Sequence, residues 1–209
     1  MISYYTIPGQ KGNTMDDCTV RNIEISELRD IYKHIKADFA KGEYAPYEVL
    51  KKQIQNGVQE GLILQKAEDD VAYAICAGGH ENGYVLISLL AVYGQFRKSG
   101  FGTAFVEEIK SRYKGKNGII VEVEKPEEAP DPEEKRVRLK RIEFYERAGF
   151  YRIPDIDYSI WDVPMHLMAF PQKAGAAAIN NEIGQIMYEI YLQLMSESYI
   201  HKLKIHHTK

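Results

Sequence analysis

Cysteine is scarce: Cys18 and Cys76 are the only two in 209 residues, and neither has a companion Cys or His at ligand spacing. That excludes a disulfide-stapled scaffold and a zinc site, and it makes a reducing, cytoplasmic compartment the expectation. Charge of one sign is missing too. With 27 basic against 30 acidic side chains the formal net charge is −3. Such a balance gives no global field to recruit nucleic acid or an anionic membrane, so neither is an expected partner. No apolar run approaches the roughly 18 residues of a membrane span. The start, Met1-Ile2-Ser3-Tyr4, lacks the basic-then-apolar layout of a secretion signal. The histidines (His34, His80, His166, His201, His206, His207) show no metal-ligand spacing, so no metal is expected. No Ser/His/Asp or Cys/His set points to a covalent acyl-enzyme.

What is present is a 44% hydrophobic, 11% aromatic chain, enough to bury the core of one domain. Residues 1–17, with Pro8, Gly9, Gly12 and Asn13, read as a loose arm, residues 18–171 as the domain, and residues 172–209 as a helical extension. Cys18 to Ile23 alternates as a short strand. Ser26 has the chemistry of an N-cap for a helix carrying Leu28, Ile31, Tyr32, Ile35 and Phe39, stopping near Lys41-Gly42. A second helix starts at Pro46 and stops at Asn56-Gly57. From Gly61 the period drops to two. Leu62–Leu64, Val71–Ala77 and Tyr84–Val92 read as an antiparallel meander whose third strand is apolar enough to be covered on both faces. Next come a helix over 100–113, a strand over 118–123, a helix over 133–148 and closing strands over 151–161 and 164–170. A final helix spans about 179–195. The expected class is α+β, one mixed, mostly antiparallel sheet with flanking helices. The last helix carries Ile179, Ile183, Ile186, Met187, Ile190, Tyr191 and Leu194 on one stripe. That stripe needs an apolar partner, either the domain's own sheet or a second copy in a homodimer.

The chemistry concentrates where the long strand runs into the next helix, at Gln95-Phe96-Arg97-Lys98-Ser99-Gly100-Phe101-Gly102-Thr103. Glycines let the backbone turn tightly as the helix opens, and the free N–H groups and dipole of that end favour an anion. Arg97 and Lys98 add cationic donors. An ordinary strand-to-helix connection is the alternative reading. The segment lacks the Gly-Lys-Ser/Thr of a nucleotide loop and the three spaced glycines of a dinucleotide site.

Arg97 to Gly102 also matches the pattern Arg/Gln-x-x-Gly-x-Gly/Ala, and Arg141 to Phe150 ends a helix in Tyr-x-x-x-Gly-Phe before a strand. With this element order, residues 18–170 resemble the GNAT-type N-acetyltransferases. The resemblance implies transfer of an acetyl group from acetyl-CoA to a primary amine by direct attack, around a central strand pair that splays apart. It implies that Arg97 and the amides of Lys98, Ser99, Gly100, Phe101, Gly102 and Thr103 hold the CoA diphosphate. Leu90, Ala91 and Val92 would pair with the pantetheine arm, and Tyr145 would protonate the departing thiolate. The reaction also needs an oxyanion donor, for which the Val92 amide is a candidate, and a group to deprotonate the amine. Glu122 and Glu124, two apart on one strand face, are the candidate bases, a solvated strand face being the other reading.

Two positions depart from the family's pattern, with Arg138 and Arg141 where many members carry Asn and a small residue. Together with Lys135 and Arg136 they form a basic strip. It is suited to the adenosine 3′-phosphate, with Arg138 as the contact, or to an acidic acceptor; alternatively Glu127, Glu128, Asp131, Glu133 and Glu134 neutralise it at a solvated surface. The resemblance implies that acceptor choice falls to the loop between the first two helices and the turn at Tyr158–Pro164. In that loop Glu43 and Tyr44 suit a cationic amine. Transfer of a longer acyl chain and a non-catalytic CoA-binding sensor are the rival functions.

Overall fold

The computed structural model describes residues 17–78, 83–195 and 197–208. Residues 1–16 of the expected arm and His80 lie outside the described residues. The chain runs β1 (Cys18–Asn22), α1 (Leu28–Asp38), α2 (Tyr47–Gln55), β2 (Gln59–Lys66), β3 (Asp69–Gly78) and β4 (Tyr84–Val92). It continues as α3 (Phe101–Arg112), β5 (Gly118–Glu124), α4 (Pro132–Arg147), β6 (Tyr151–Arg152), β7 (Ile156–Ile160) and β8 (Val163–Pro171). α5 (Ala176–Leu194) and β9 (Leu203–His207) follow. The strands form one sheet in the order β1-β2-β3-β4-β5-β8-β7-β9, with β6 paired to β8. Every pairing is antiparallel except β4 with β5.

Side chains alternate across the pleat, so each strand feeds two cores. On one face Leu62, Leu64, Val85, Ile87, Ile119 and Val121 pack under α3 and α4, with Phe105, Val106 and Ile109 fully buried. On the other face Ile63, Tyr73, Ile75 and Leu89 lie under α1 and α2. There, Leu86, Ile120, Leu167 and Ala169 lie under α5. The stripe of α5 is therefore covered by the chain's own sheet: Ile179, Ile183 and Met187 are fully buried. Residues 172–208 add a helix and an edge strand to the same sheet. No helix among the described residues is long and apolar enough to cross a membrane.

Several element ends differ from the sequence expectation. Ser26 does not cap α1: Glu27 holds the cap position without a side-chain cap, and its carboxylate instead takes the Glu24 amide (2.8 Å) and Arg21. α1 stops at Asp38 because Phe39 turns to extended geometry and packs against the core. Pro46 caps α2 from outside its first turn. The expected strand over 151–161 is split, since Ile153 pairs with the Leu167 carbonyl (2.9 Å) and Asp155 sits at φ 54. β9, which the sequence reading leaves inside the helical extension, pairs with β7. By contrast, α4 is capped as its sequence invites, Asp131 accepting from the Glu133 and Glu134 amides at 2.9 and 2.8 Å.

Candidate active site

The parallel ladder between β4 and β5 covers only Tyr84–Ile87 against Gly118–Val121. Beyond it β4 stays with β3 as far as Val92, and β5 stays with β8 as far as Glu124. The pivot is a bulge. Leu89 pairs with Ile75 and Ile87 with Cys76, leaving Ser88 extra, and such an insertion adds local twist. The Ser88 Oγ is buried with no hydrogen-bond partner among the described residues. Past the bulge the Tyr93 amide donates to Val71 of β3 (3.0 Å). Strand alternation therefore turns the main-chain groups of Leu90 and Val92 toward the gap and those of Ala91 toward β3. The Val92 carbonyl is not open, because Arg97 Nε donates to it at 3.1 Å.

At the mouth of the gap the chain takes positive φ at Lys98 (65°) and at Gly100 (83°) before α3 begins. Such a winding points successive amides into one concavity, an anion receptor. The first helical bond is Ala104 to the Gly100 carbonyl (3.1 Å), and the amides of Lys98 to Thr103 donate to no carbonyl among the described residues. Val92, Phe96, Arg97, Lys98, Gly100, Phe101, Gly102, Thr103 and Phe144 line a groove of about 240 Å³ there. Leu90 and Ala91 lie on the adjoining strand, and Ser99 is in the loop without lining the groove. The Arg97 guanidinium points to the end of α1, 2.6 Å from Asp38. Asp38 also accepts from the fully buried Tyr73 (2.8 Å).

Glu122 and Glu124 do share a face, but it is not solvated. Glu124 is 14% exposed and takes Arg138 at 3.0 Å and Arg141 at 2.9 Å. Arg138 is itself 11% exposed, with Glu134 at 3.1 Å and the Lys125 carbonyl at 2.9 Å as further partners. The expected solvated strip is therefore corrected at this residue: Glu134 contributes to its neutralisation, yet burial beside Glu124 holds it in place. Glu122 has no cationic partner among the described residues. Its carboxylate accepts from Tyr158 and Tyr191, and burial pushes its pKa above the usual carboxylate range against the pull of those phenols.

Tyr145 lies in the core between Phe144 and Phe150, ring centroids 5.0 and 5.4 Å away. Burial pushes its phenol up to about 12, so it stays protonated at neutral pH. Glu43 is half-buried and caps the Ala40 amide (2.8 Å); burial, with Glu124 nearby, raises its pKa. Tyr44 packs edge-on against Tyr32 (5.7 Å), whose hydroxyl is bonded to the Ala45 carbonyl (3.0 Å). Sequence reasoning missed Tyr158 and Tyr191 as partners of Glu122, Asp38 as partner of Arg97, and Ser88 as pivot. Only Ser88 carried a signal, as the lone small polar residue in an apolar run.

The chain is similar to a Bacteroides thetaiotaomicron protein assigned to the GNAT family of acetyltransferases: 22% identity over 83% of this chain and 97% of that one, TM-score 0.66. It is also similar to a variant of the spermidine N-acetyltransferase of Vibrio cholerae (12% identity, 75% and 95% of the two chains, TM-score 0.58). A third likeness is to the ribosomal-protein alanine N-acetyltransferase of Escherichia coli (21% identity, 76% and 96%, TM-score 0.54). No family model and no curated protein sequence matches the chain. With its antiparallel sheet opened at a single parallel strand pair and an amide-lined turn at the opening, the chain has the fold of the GNAT acetyltransferases.

Proposed function

We propose that this protein is an N-acetyltransferase that moves the acetyl group of acetyl-CoA directly onto a primary amine. The observation that carries the reading is the splayed β4/β5 pair opening beside an amide-lined groove. The free amides from Lys98 to Thr103 and the Lys98 ammonium suit a diphosphate. Leu90 offers its amide and carbonyl, and Val92 its amide alone, to an extended, amide-bearing arm, which satisfies them as an added strand would. Ala91 serves that edge only as the link between them. The Val92 amide faces the same gap and is the donor for the oxyanion.

An alkylammonium with a pKa near 10.4 must lose a proton before it attacks. We assign that step to Glu122, which is free of cations and has a raised pKa, and not to Glu124, whose oxygens hold Arg138 and Arg141. Arg138 is assigned to fastening α4 against β5. Glu122 takes the first proton, the amine lone pair attacks the thioester carbonyl, and as the carbon–sulfur bond breaks Tyr145 protonates the sulfur, while the second proton shed by the nitrogen as the amide forms restores the phenol. Cys76 is buried and its thiol is pushed up to about 12, which favours direct attack over an acyl-enzyme. Glu43, with Glu124 nearby, and the neighbouring Tyr44 favour a cationic acceptor. A cytoplasmic site of action fits two unpaired cysteines.

Calorimetry with CoA, followed by free-thiol release with acetyl-CoA and a panel of spermidine, 1,4-diaminobutane and an alanyl peptide, tests the assignment. Binding with release for at least one amine supports it. Absence of binding refutes the groove; binding with no release for any amine leaves a CoA sensor in place of an enzyme.

A further inference from the structure

Three elements remote in sequence meet on one carboxylate. Tyr191 of α5 places its hydroxyl 2.9 Å from Oε1 and 2.9 Å from Oε2 of Glu122, and Tyr158 of β7 donates to Oε1. Both rings are held by packing, Tyr158 being 1% and Tyr191 9% exposed. Tyr158 lies between its cross-strand neighbours Met165 and Ile205, while Tyr191 extends the buried row of Met187 and Ile190. From β8 the residue opposite Glu122 is the apolar Leu167. On its own strand the next charge on this face is Glu124, neutralised by Arg138 and Arg141 of α4. No ion pair to Glu122 occurs among the described residues.

An uncompensated carboxylate that is largely, though not fully, shielded from water is costly, and a methionine or leucine would fill the space without that cost. Two phenols are a particular choice of support. Each donates one hydrogen bond and stays neutral, so together they favour the ionised carboxylate without trapping its charge in an ion pair. Tyr158 donates to Oε1 and the single proton of Tyr191 is shared between Oε1 and Oε2, which leaves Oε2 with lone-pair capacity to spare. Glu122 also stands just past Val121, where the ladder to β4 has ended.

We propose that Tyr191 and Tyr158 are positioning residues that orient and ionise Glu122 for removal of the acceptor's proton, making the last helix a working part of the acetyl-transfer site. The inference rests on Glu122 being the base. In the step an N–H bond of the ammonium breaks, its proton joins Oε2, and the freed electron pair attacks the thioester. The phenols keep their protons, and the carboxylic acid later returns its proton to water.

The test compares wild type, Tyr191→Phe, Tyr158→Phe and the double variant in the full chain, using acetyl-CoA and whichever amine of the panel is turned over fastest. Loss of a hydrogen bond to the charged form raises the pKa of Glu122. The acidic limb of kcat/KM should therefore move to higher pH by about one unit per hydroxyl, with KM for acetyl-CoA unchanged. Carbon-13 NMR of glutamate-labelled protein, with Glu122→Gln to identify the signal, follows the same titration without turnover. Limb and NMR titration moving together support the inference. If neither moves while Glu122→Gln abolishes turnover, the base stands and the positioning role is overturned. If the NMR titration moves and the rate profile does not, Glu122 is not the base, and both readings fall.

Discussion

Gly102 separates what the fold requires from what the groove requires. Its φ is not in the left-handed region and it lies in the first turn of α3. A Cβ built there meets Phe144 at 3.4 and 3.5 Å and Val92 at 3.7 Å, ordinary contacts that need no rearrangement. Gly102→Ala should therefore gain helix propensity, roughly 0.5–1 kcal/mol, or about 2–4 °C in Tm per kcal/mol at this chain length. CoA affinity should be kept, since one methyl occupies only the groove's edge. Gly102→Leu is also a good helix former, but its longer side chain cannot pass between Phe144 and Val92 and must project into the groove. Displacing a diphosphate from even one amide removes a charge-assisted hydrogen bond of about 1.5–3 kcal/mol, a ten- to hundredfold rise in Kd. Calorimetry with CoA and a thermal melt on the three proteins read both effects. If Gly102→Leu melts like the wild type and binds CoA equally well, the ligand does not lie in this groove and the reasoning fails.

Tyr145→Phe should lower kcat about a hundredfold at unchanged CoA affinity, while a thermal melt shifts little, because its hydroxyl has no hydrogen bond among the described residues. Glu122 has a folded pKa above its unfolded value, so the folded protein binds its proton more tightly. The stability this contributes is full below the unfolded pKa and lost as pH rises through the folded one; urea titrations across that window should show the decline in wild type and its flattening in Glu122→Gln. Asp38→Ala strands the fully buried Tyr73 hydroxyl and should cost about 1–3 kcal/mol. Asp38→Asn, which keeps an acceptor, should recover most of it in chemical denaturation.

The elements legible in the sequence are those whose burial is written in their own periodicity. Leu62-Ile63-Leu64 alternates between two cores, and the α5 stripe is covered by the surface it demanded. β9 stayed hidden because it is short: Leu203 and Ile205 alternate with Lys204 and His206 only briefly before His207 breaks the pattern, and its strand partner among the described residues is β7, some 45 residues earlier. The break between β6 and β7 turns on Asp155 adopting a positive φ, a turn that the pair Pro154-Asp155 announces but that a reading by periodicity over 151–161 passes over. In the site the amide-lined turn before α3 was legible because it is a local backbone motif. The charge partners were not: Arg141 reaches Glu124 across 17 positions and Tyr191 reaches Glu122 across 69. Such pairs are set by how α4 and α5 lie on the sheet, and composition reads a basic strip or a core aromatic instead.

The placement of α5 has a consequence for how the protein is made. Synthesis runs from the amino terminus, and domains begin to organise while the ribosome is still adding residues. Strands β1 to β5, with the turn before α3, emerge well ahead of Tyr191, and α5 and β9 leave the ribosome after every other described element. A nascent chain thus carries both sides of the β4/β5 opening before Tyr191 exists, and the contact between Tyr191 and Glu122 can form only after every strand from β1 to β8 has been synthesised.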